Sequence, residues 1–242
     1  MTNHFHSSKT HNGNIRDNNE DNHYCGTHIF AICDGMGGQE AGEFASFSAV
    51  NLLPEIDAAL PTIPAHKIDE LVQEYVTRAN NLLCTKMREK SIRMGTTLAL
   101  VVITEHGIRP YTIGDSRIYD FSGGALRQIS EDHTLTQQKV KMGILTPEQA
   151  RHDRDRHKLT RYLGIFEDEM IIEAEPLPIL TLTEHRRILL CSDGLTDMVE
   201  DSRIEEIIKT APITDAAGTL VDEALANGGK DNITCIVIEV LS

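Results

Sequence analysis

No two cysteines in the chain stand at the C-x-x-C spacing, and the five present, Cys25, Cys33, Cys84, Cys191 and Cys235, are an odd number. That argues against a disulfide framework and a cysteine zinc site alike. Cys33, Cys191 and Cys235 lie inside apolar, strand-like runs and read as small buried hydrophobes in a reducing compartment. Basic residues are also scarce: 23 Lys and Arg stand against 37 Asp and Glu, a formal net charge of -14. Phosphate backbones demand clustered Lys and Arg, so no nucleic acid partner is expected. No apolar run approaches the ~20 residues needed to span a bilayer, so no membrane partner is expected either. Met1 to Asn14 is polar and His-rich and lacks the apolar middle of a signal peptide, from which we expect a cytoplasmic protein. Neither internal repeats nor a low-complexity linker divides the 242 residues, which read as a single domain, 1–242.

What is present is a succession of apolar runs. His28–Cys33, Thr96–Ile103, Arg109–Ile113, Arg117–Phe121, Ala125–Ile129, Arg187–Cys191 and Ile233–Val240 are rich in Ile, Val, Leu, Tyr and Thr and are expected to be strands. Ser122-Gly123-Gly124 joins two of them as a hairpin. Between them, Ile68, Leu71, Val72, Tyr75, Val76, Ala79, Leu82, Leu83 and Met87 recur at three- and four-residue steps, which predicts one long amphipathic helix. Helices are also expected over Glu40–Leu53, Ser202–Lys209 and Asp215–Ala226, with short ones over Thr134–Met142 and Pro147–His152. The order is not a regular βαβ alternation, so largely antiparallel sheets with helices outside are expected, an α+β fold.

Three of these strands stop at an aspartate followed by a small residue: Asp34-Gly35, Asp115-Ser116 and Asp193-Gly194. Asp231 immediately precedes the last strand. Each pair alone makes a turn. In an antiparallel sheet, however, the end of one strand lies beside the start of its neighbour, so the four can gather at one edge of the core. Gathered carboxylates repel one another unless cations hold them. Oxygen-only ligands favour Mg²⁺ or Mn²⁺. Two such ions about 4 Å apart can share one carboxylate and one water and make that water a nucleophile at neutral pH. Asp34-Gly35-Met36-Gly37-Gly38 also allows a close backbone approach, so a carbonyl can become a ligand. Upstream, Arg16 offers a planar fork for phosphate, and Glu20 and Asp21 offer acceptors to metal waters. An EF-hand starting at Asp17 fails, because its sixth position is Asn22 and its twelfth His28.

Together these residues resemble the PPM family, the type-2C metal-dependent Ser/Thr protein phosphatases, from about Asn14 to Val240. The pieces arrive in family order: Arg16…Glu20-Asp21, Asp34-Gly35-Met36-Gly37-Gly38, Gly95-Thr96-Thr97-Leu98, Gly114-Asp115-Ser116-Arg117, Asp132-His133, Leu159-Thr160-Arg161, Ser192-Asp193-Gly194-Leu195 and Lys230-Asp231-Asn232-Ile233-Thr234. The resemblance implies a four-layer α/β/β/α sandwich of two mainly antiparallel sheets flanked by helices. It implies hydrolysis of phosphoserine and phosphothreonine esters by a water or hydroxide bridging two Mn²⁺ or Mg²⁺ ions, with a third ion beside them. Asp34 would bridge the two ions; the Gly35 carbonyl would join the second and Asp193 and Asp231 the first. Glu20 and Asp21 would act through metal-bound water, Arg16 would clamp the phosphate, and Asp115 and Asp197 would bind the third ion. About 133–164 would form a flap beside the site, and about 1–12 a disordered tail. Phosphorylated proteins are the implied partners, an opposing Ser/Thr kinase the implied counterpart, and a monomer the expected state.

Two positions depart from the pattern. Met36 stands where some members carry a His proposed as general acid, so a water on the third ion is the candidate acid here. Gln39 stands where a His often follows the double glycine. His4, His6 and His11 are read as surface residues of the tail, and His152 and His157 as part of the charged flap. A backbone-bonding role is open for His133, and no histidine is read as a ligand. Two other readings remain: a phosphoprotein-binding regulator that kept the fold, and a serine esterase using Ser116 in a block resembling Gly-Asp-Ser-Leu. The esterase lacks a His after His185 to serve as its base.

Overall fold

The computed structural model describes residues 4–38, 40–182 and 185–241; Gln39 lies outside the described residues. The strands are β1 His4–His11, β2 Asp21–Cys25, β3 Ile29–Gly37, β4 Met94–Thr96, β5 Leu98–Thr104, β6 Gly107–Ile113, β7 Arg117–Ser122, β8 Ala125–Gln128, β9 Glu175–Pro176, β10 Arg186–Cys191 and β11 Ile233–Val240. The helices are α1 Ala41–Val50, α2 Leu53–Ala59, α3 Ile68–Lys90, α4 Leu135–Lys141, α5 Pro147–Ala150, α6 Asp193–Thr196, α7 Asp201–Thr210 and α8 Ile213–Ala226.

One sheet has the order β1-β11-β10-β7-β8 and the other β2-β3-β5-β6-β9, with β4 beside the end of β3; the pairings are antiparallel. The two sheets pack face to face through Phe30, Ile32, Val101 and Ile103 on one side and Ile188, Leu190, Ile236 and Ile238 on the other. The alternate residues of the same strands point outward. Ala31, Cys33 and Leu100 meet α1 and α3, whereas Leu189, Cys191, Cys235 and Val237 meet α7 and α8. A strand buried on both faces needs apolar residues at successive positions, which is why these runs read as continuous rather than alternating. The result is the four-layer α/β/β/α sandwich.

The long helix forms as its periodicity requires, burying Ile68, Val72, Tyr75, Val76, Ala79, Leu83 and Met87 along one face. The helix expected over Glu40–Leu53 forms as α1 but ends at Val50, and a second helix, α2, starts at Leu53; Pro54 cannot continue a helix interior and lies in the first turn of α2, where its missing N–H costs nothing.

The expected tail requires correction. His4–His11 is an edge strand, paired with β11 from His4 opposite Val240 to His11 opposite Ile233. Its sequence, HFHSSKTH, carries no apolar alternation because backbone hydrogen bonds hold it. Ser7 Oγ accepts from Ala217 N at 3.2 Å, and the His4 and His6 rings meet the edge of buried Phe30. The polar side chains also suit an unpaired sheet edge. His6 and His11 are exposed, as expected of surface residues.

Candidate metal centre

The acidic residues converge at one end of the sandwich, and the backbone there is fixed by short polar contacts. β3 does not stop before Asp34, as the sequence suggested; it runs through to Gly37 because β4 pairs with its last residues. Asp34 therefore sits inside a strand, opposite Asp21 at the start of β2. Its N–H donates to Thr97 Oγ1 at 2.9 Å, and its carbonyl accepts from Thr97 N and Thr96 Oγ1, both at 2.9 Å. Gly35 must lack a side chain: a Cβ there would stand 2.1 Å from the Gly42 carbonyl oxygen and 2.6 Å from that of Glu20. Gly114, which carries the chain into Asp115 at φ +97°, is similarly constrained, by Thr97 Cγ2 2.6 Å from the same point.

Asp21 is buried and joins the two sheets. Its Oδ2 accepts from Ser192 Oγ and Thr234 Oγ1, both at 2.7 Å, while its Oδ1 has no protein partner. A buried carboxylate oxygen left without a donor is costly and calls for a water or cation. On the β11 side, Asp231 Oδ2 accepts from Arg16 Nη2 at 2.8 Å and Oδ1 from the Asn232 amide at 2.8 Å. The Asn232 side chain binds the Arg16 loop in place. Its Nδ2 donates to the carbonyls of Asn12 and Asn18, and its Oδ1 accepts from Glu20 N at 2.8 Å.

On the flap side, Asp193 opens α6 and Asp197 closes it, the Asp197 amide donating to the Asp193 carbonyl at 2.8 Å. His157 reaches between them, with Nδ1 3.1 Å from Asp193 Oδ2 and Nε2 3.3 Å from Asp197 Oδ2. Ligand atoms of Asp115, His157 and Asp193 lie within 4.8 Å of one another. His133 takes the backbone-bonding role open to it: Nδ1 accepts from Gly114 N at 3.0 Å and Nε2 meets Glu175 at 2.9 Å. Ser116 is buried and its hydroxyl pairs with Thr97 Oγ1 at 2.6 Å, so it is no exposed esterase nucleophile.

Electrostatics show how closely these groups crowd. Burial, then the charges of Asp21, Asp193, Asp115 and Asp231, push Asp34 well above the carboxylate range. Burial, then Asp193 and Asp132, does the same to Asp115. Burial raises Asp21 to about 7, against the hydrogen bonds from Ser192 and Thr234. Asp197 and Glu20 are also raised, mainly by burial. The unfolded chain releases these protons near pH 4, whereas the fold holds them to higher pH, that of Asp21 to about 7. Folding thus takes up protons, and stability falls as pH rises through that window. His157, raised by its hydrogen bond to Asp193, acts in the same direction, its contribution lost as pH rises past its folded value. In chelator, the melting temperature is therefore expected to fall between pH 5.5 and 8, and Mn²⁺ to restore it most at pH 8. A melting temperature that climbs over this range in chelator would contradict the crowding.

These groups fit divalent cations: oxygen donors of one sign, disfavoured as anions by one another, with an orphaned buried oxygen and a backbone cleared of side chains beside them. The sequence named Asp34, Gly35, Asp115, Asp193, Asp197, Asp231, Glu20, Asp21 and Arg16. It did not single out His157, Asn232, Ser192 or Thr234. The last three lie in or beside the quoted motifs, but their contacts cross from one sheet or loop to another. His157 lies in a run of alternating charge, Asp153-Arg154-Asp155-Arg156-His157-Lys158, where nothing local distinguishes it.

A family model described as Protein phosphatase 2C matches residues 8–227. The serine/threonine protein phosphatase PstP of Mycobacterium tuberculosis is 35% identical over 240 residues, covering 97% of this chain and 45% of PstP. The serine/threonine phosphatase stp of Listeria monocytogenes is 32% identical over 240 residues, covering 96% of this chain and 94% of stp. The chain thus spans about half the length of the former and nearly all of the latter. A crystal structure of the catalytic domain of PstP in complex with 2 manganese ions superposes with a TM-score of 0.87 at 31% identity, covering 99% of each chain.

Proposed function

Because this chain belongs to the protein phosphatase 2C family, we propose that it hydrolyses phosphoserine and phosphothreonine esters of proteins with Mn²⁺ or Mg²⁺ at the aspartate cluster. The observation that carries this reading is the convergence of Asp21, Asp34, Asp115, Asp193 and Asp231 on one site with the Arg16 guanidinium at its rim. A site this acidic repels a phosphate ester unless bound cations offset its charge, so substrate binding is expected to depend on cation binding.

Asp34, Asp193 and Asp231, with the Gly35 carbonyl, are the residues we assign to hold two core ions. Glu20 and Asp21 would face waters around them, and Asp115 and Asp197 would serve a third, weaker site on the flap side, as a ligand or through a neighbouring side chain. When bound, such ions polarise the phosphoryl oxygens and bring the pKa of a water towards neutrality. The chain's own contribution is positional. Thr96 and Thr97 fix the Asp34 backbone, Asn232 fixes the Arg16 loop, and Arg16 offers two parallel donors to the phosphate. The Arg16–Asp231 pair is half-exposed, and such pairs are worth about 0–1 kcal/mol. Were Asp231 to hold a cation, the Arg16 guanidinium would turn to the substrate at little cost.

Among the described residues no helix is long and apolar enough to cross a membrane. We assign the chain a cytoplasmic role, as a monomer opposing a Ser/Thr kinase. The test is phosphate release from a phosphothreonine peptide. Turnover is expected with millimolar Mn²⁺, because few protein ligands and many waters make such sites weak, and it should vanish in excess EDTA. Peptide binding without release would favour the phosphoprotein-binding regulator, and full activity in EDTA would overturn the metal-dependent reading.

A further inference from the structure

The segment after α5 is tied to the flap on both sides of His157. Before it, Lys139 Nζ of α4 binds Asp153 and Asp155, both at 2.8 Å; after it, the Leu135 amide donates to the Lys158 carbonyl at 2.9 Å and the Thr160 amide to the His133 carbonyl at 2.8 Å. His157 is thereby held with its ring between two carboxylates on α6. One nitrogen is directed to each: Nδ1 to Asp193 at 3.1 Å and Nε2 to Asp197 at 3.3 Å. Across from the ring stands Asp115, nine-tenths buried. Its carboxylate is approached by its own backbone amide and, among the described residues, by no side-chain donor. A buried carboxylate in that position calls for a positive partner.

We propose that His157 Nδ1 is a ligand, together with Asp115 and Asp193, of the cation on the flap side of the site, and that Asp197 holds the ring in the tautomer this requires. The assignment rests on the reading that the aspartate cluster binds divalent cations. The three ligand atoms span at most 4.8 Å, little more than the ~4.2 Å across an octahedral Mg²⁺ shell, so small side-chain rotations close the gap. The nitrogen roles are consistent with ligation. A ligating imidazole donates its other N–H to a carboxylate, which fixes the tautomer and raises ligand basicity. Nε2–H to Asp197 supplies that bond, and Arg156 Nη2, 3.5 Å from Asp197, steadies the acceptor. Of the two aspartates assigned to the third site, Asp115 is thus the direct ligand, and Asp197 serves the site through His157 as a positioning residue.

Two consequences follow from the chemistry. Mg²⁺ is hard, dehydrates reluctantly and prefers oxygen, so a nitrogen ligand tilts this one site towards Mn²⁺. Because His157 belongs to the flap while Asp115 and Asp193 belong to the sandwich, occupancy also pins the flap to the core.

The test uses the full chain without a histidine tag, titrated with Mn²⁺ alone and followed by calorimetry and by electron spin echo envelope modulation. A ¹⁴N modulation from one imidazole is expected to appear as the weakest Mn²⁺ loads. In His157→Gln the modulation should vanish and the affinity of that step fall at least tenfold, with Mg²⁺ affinity nearly unchanged. In Asp197→Asn the modulation should persist while affinity falls about 10- to 100-fold, the usual effect of losing an outer partner. Three bound Mn²⁺ ions without ¹⁴N coupling would overturn the proposal, as would coupling that survives in His157→Gln or titration that ends at two ions. The half-exposed His157 tolerates Gln without loss of core packing, and an unchanged melting temperature in chelator verifies this. The ¹⁴N signal does not depend on turnover, so its failure is distinguishable from failure of the phosphatase reading.

Discussion

Asp34→Asn is expected to lose turnover by at least a thousandfold while folding as well as the parent, or better. The side chain lies at the centre of the cluster, where Asp21, Asp193, Asp115 and Asp231 all act on its ionisation. Asn preserves its volume and removes the charge that makes it a cation ligand. Losing one ion's stabilisation of a phosphoryl transition state costs several kcal/mol, and each 1.36 kcal/mol is about tenfold in rate. The fold gives the opposite sign. Burial and repulsion disfavour the Asp34 anion, so a neutral isostere relieves crowding and the melting temperature in chelator should hold or rise. The backbone bonds from Thr96 and Thr97 are untouched by the change. Two measurements decide it, kcat on a phosphopeptide with Mn²⁺ and thermal unfolding in EDTA. A variant that keeps a tenth of the parent kcat would remove Asp34 from the metal centre.

Arg16→Ala is expected to lower kcat/KM on the order of a hundredfold with no loss of stability. Two charge-assisted hydrogen bonds to phosphate at about 1.5 kcal/mol each give that magnitude. The Arg16 side chain is 51% exposed and its protein partner is Asp231 at 2.8 Å, an exposed pair of small worth. That pair also sets a second expectation. The guanidinium and a metal ion compete for the same carboxylate, so Mn²⁺ should bind Arg16→Ala equally well or up to about fivefold more tightly, the most that ~1 kcal/mol allows. Arg16→Lys should recover part of the rate, since an ammonium carries the charge without the planar fork. Weaker Mn²⁺ binding in the Ala variant would mean that Arg16 organises the loop around Asp231 rather than receiving the substrate.

The sequence by itself determined the layers. Strands such as β3 and β11, buried on both faces, must run apolar at successive positions, as over Ile29–Cys33 and Cys235–Ile238, and α3 must repeat its apolar residues at helical spacing, so both are legible in one dimension. It also brought Asp34, Asp115, Asp193 and Asp231 forward as a group, because strand-end aspartates in antiparallel sheets are neighbours by topology. The helix break before Pro54 was equally local, written in the residue. Tertiary structure alone decided the rest. The strand His4–His11 exists because β11 offers it an edge; its own side chains state no preference. β3 continues past Asp34 to Gly37 because β4, some 60 residues later in the chain, pairs with its last residues. Asp21 owes its raised pKa to burial between the sheets and to the distant carboxylates Asp193 and Asp231, against the hydrogen bonds it accepts from Ser192 and Thr234 across the sandwich. His157 meets Asp193 from 36 residues away, in a stretch whose composition marks it only as solvated charge. Periodicity encodes what a segment buries against, since burial repeats along the chain. It carries no record of which distant polar atom a single side chain will face, because that contact occurs once and is fixed by the packing of other segments.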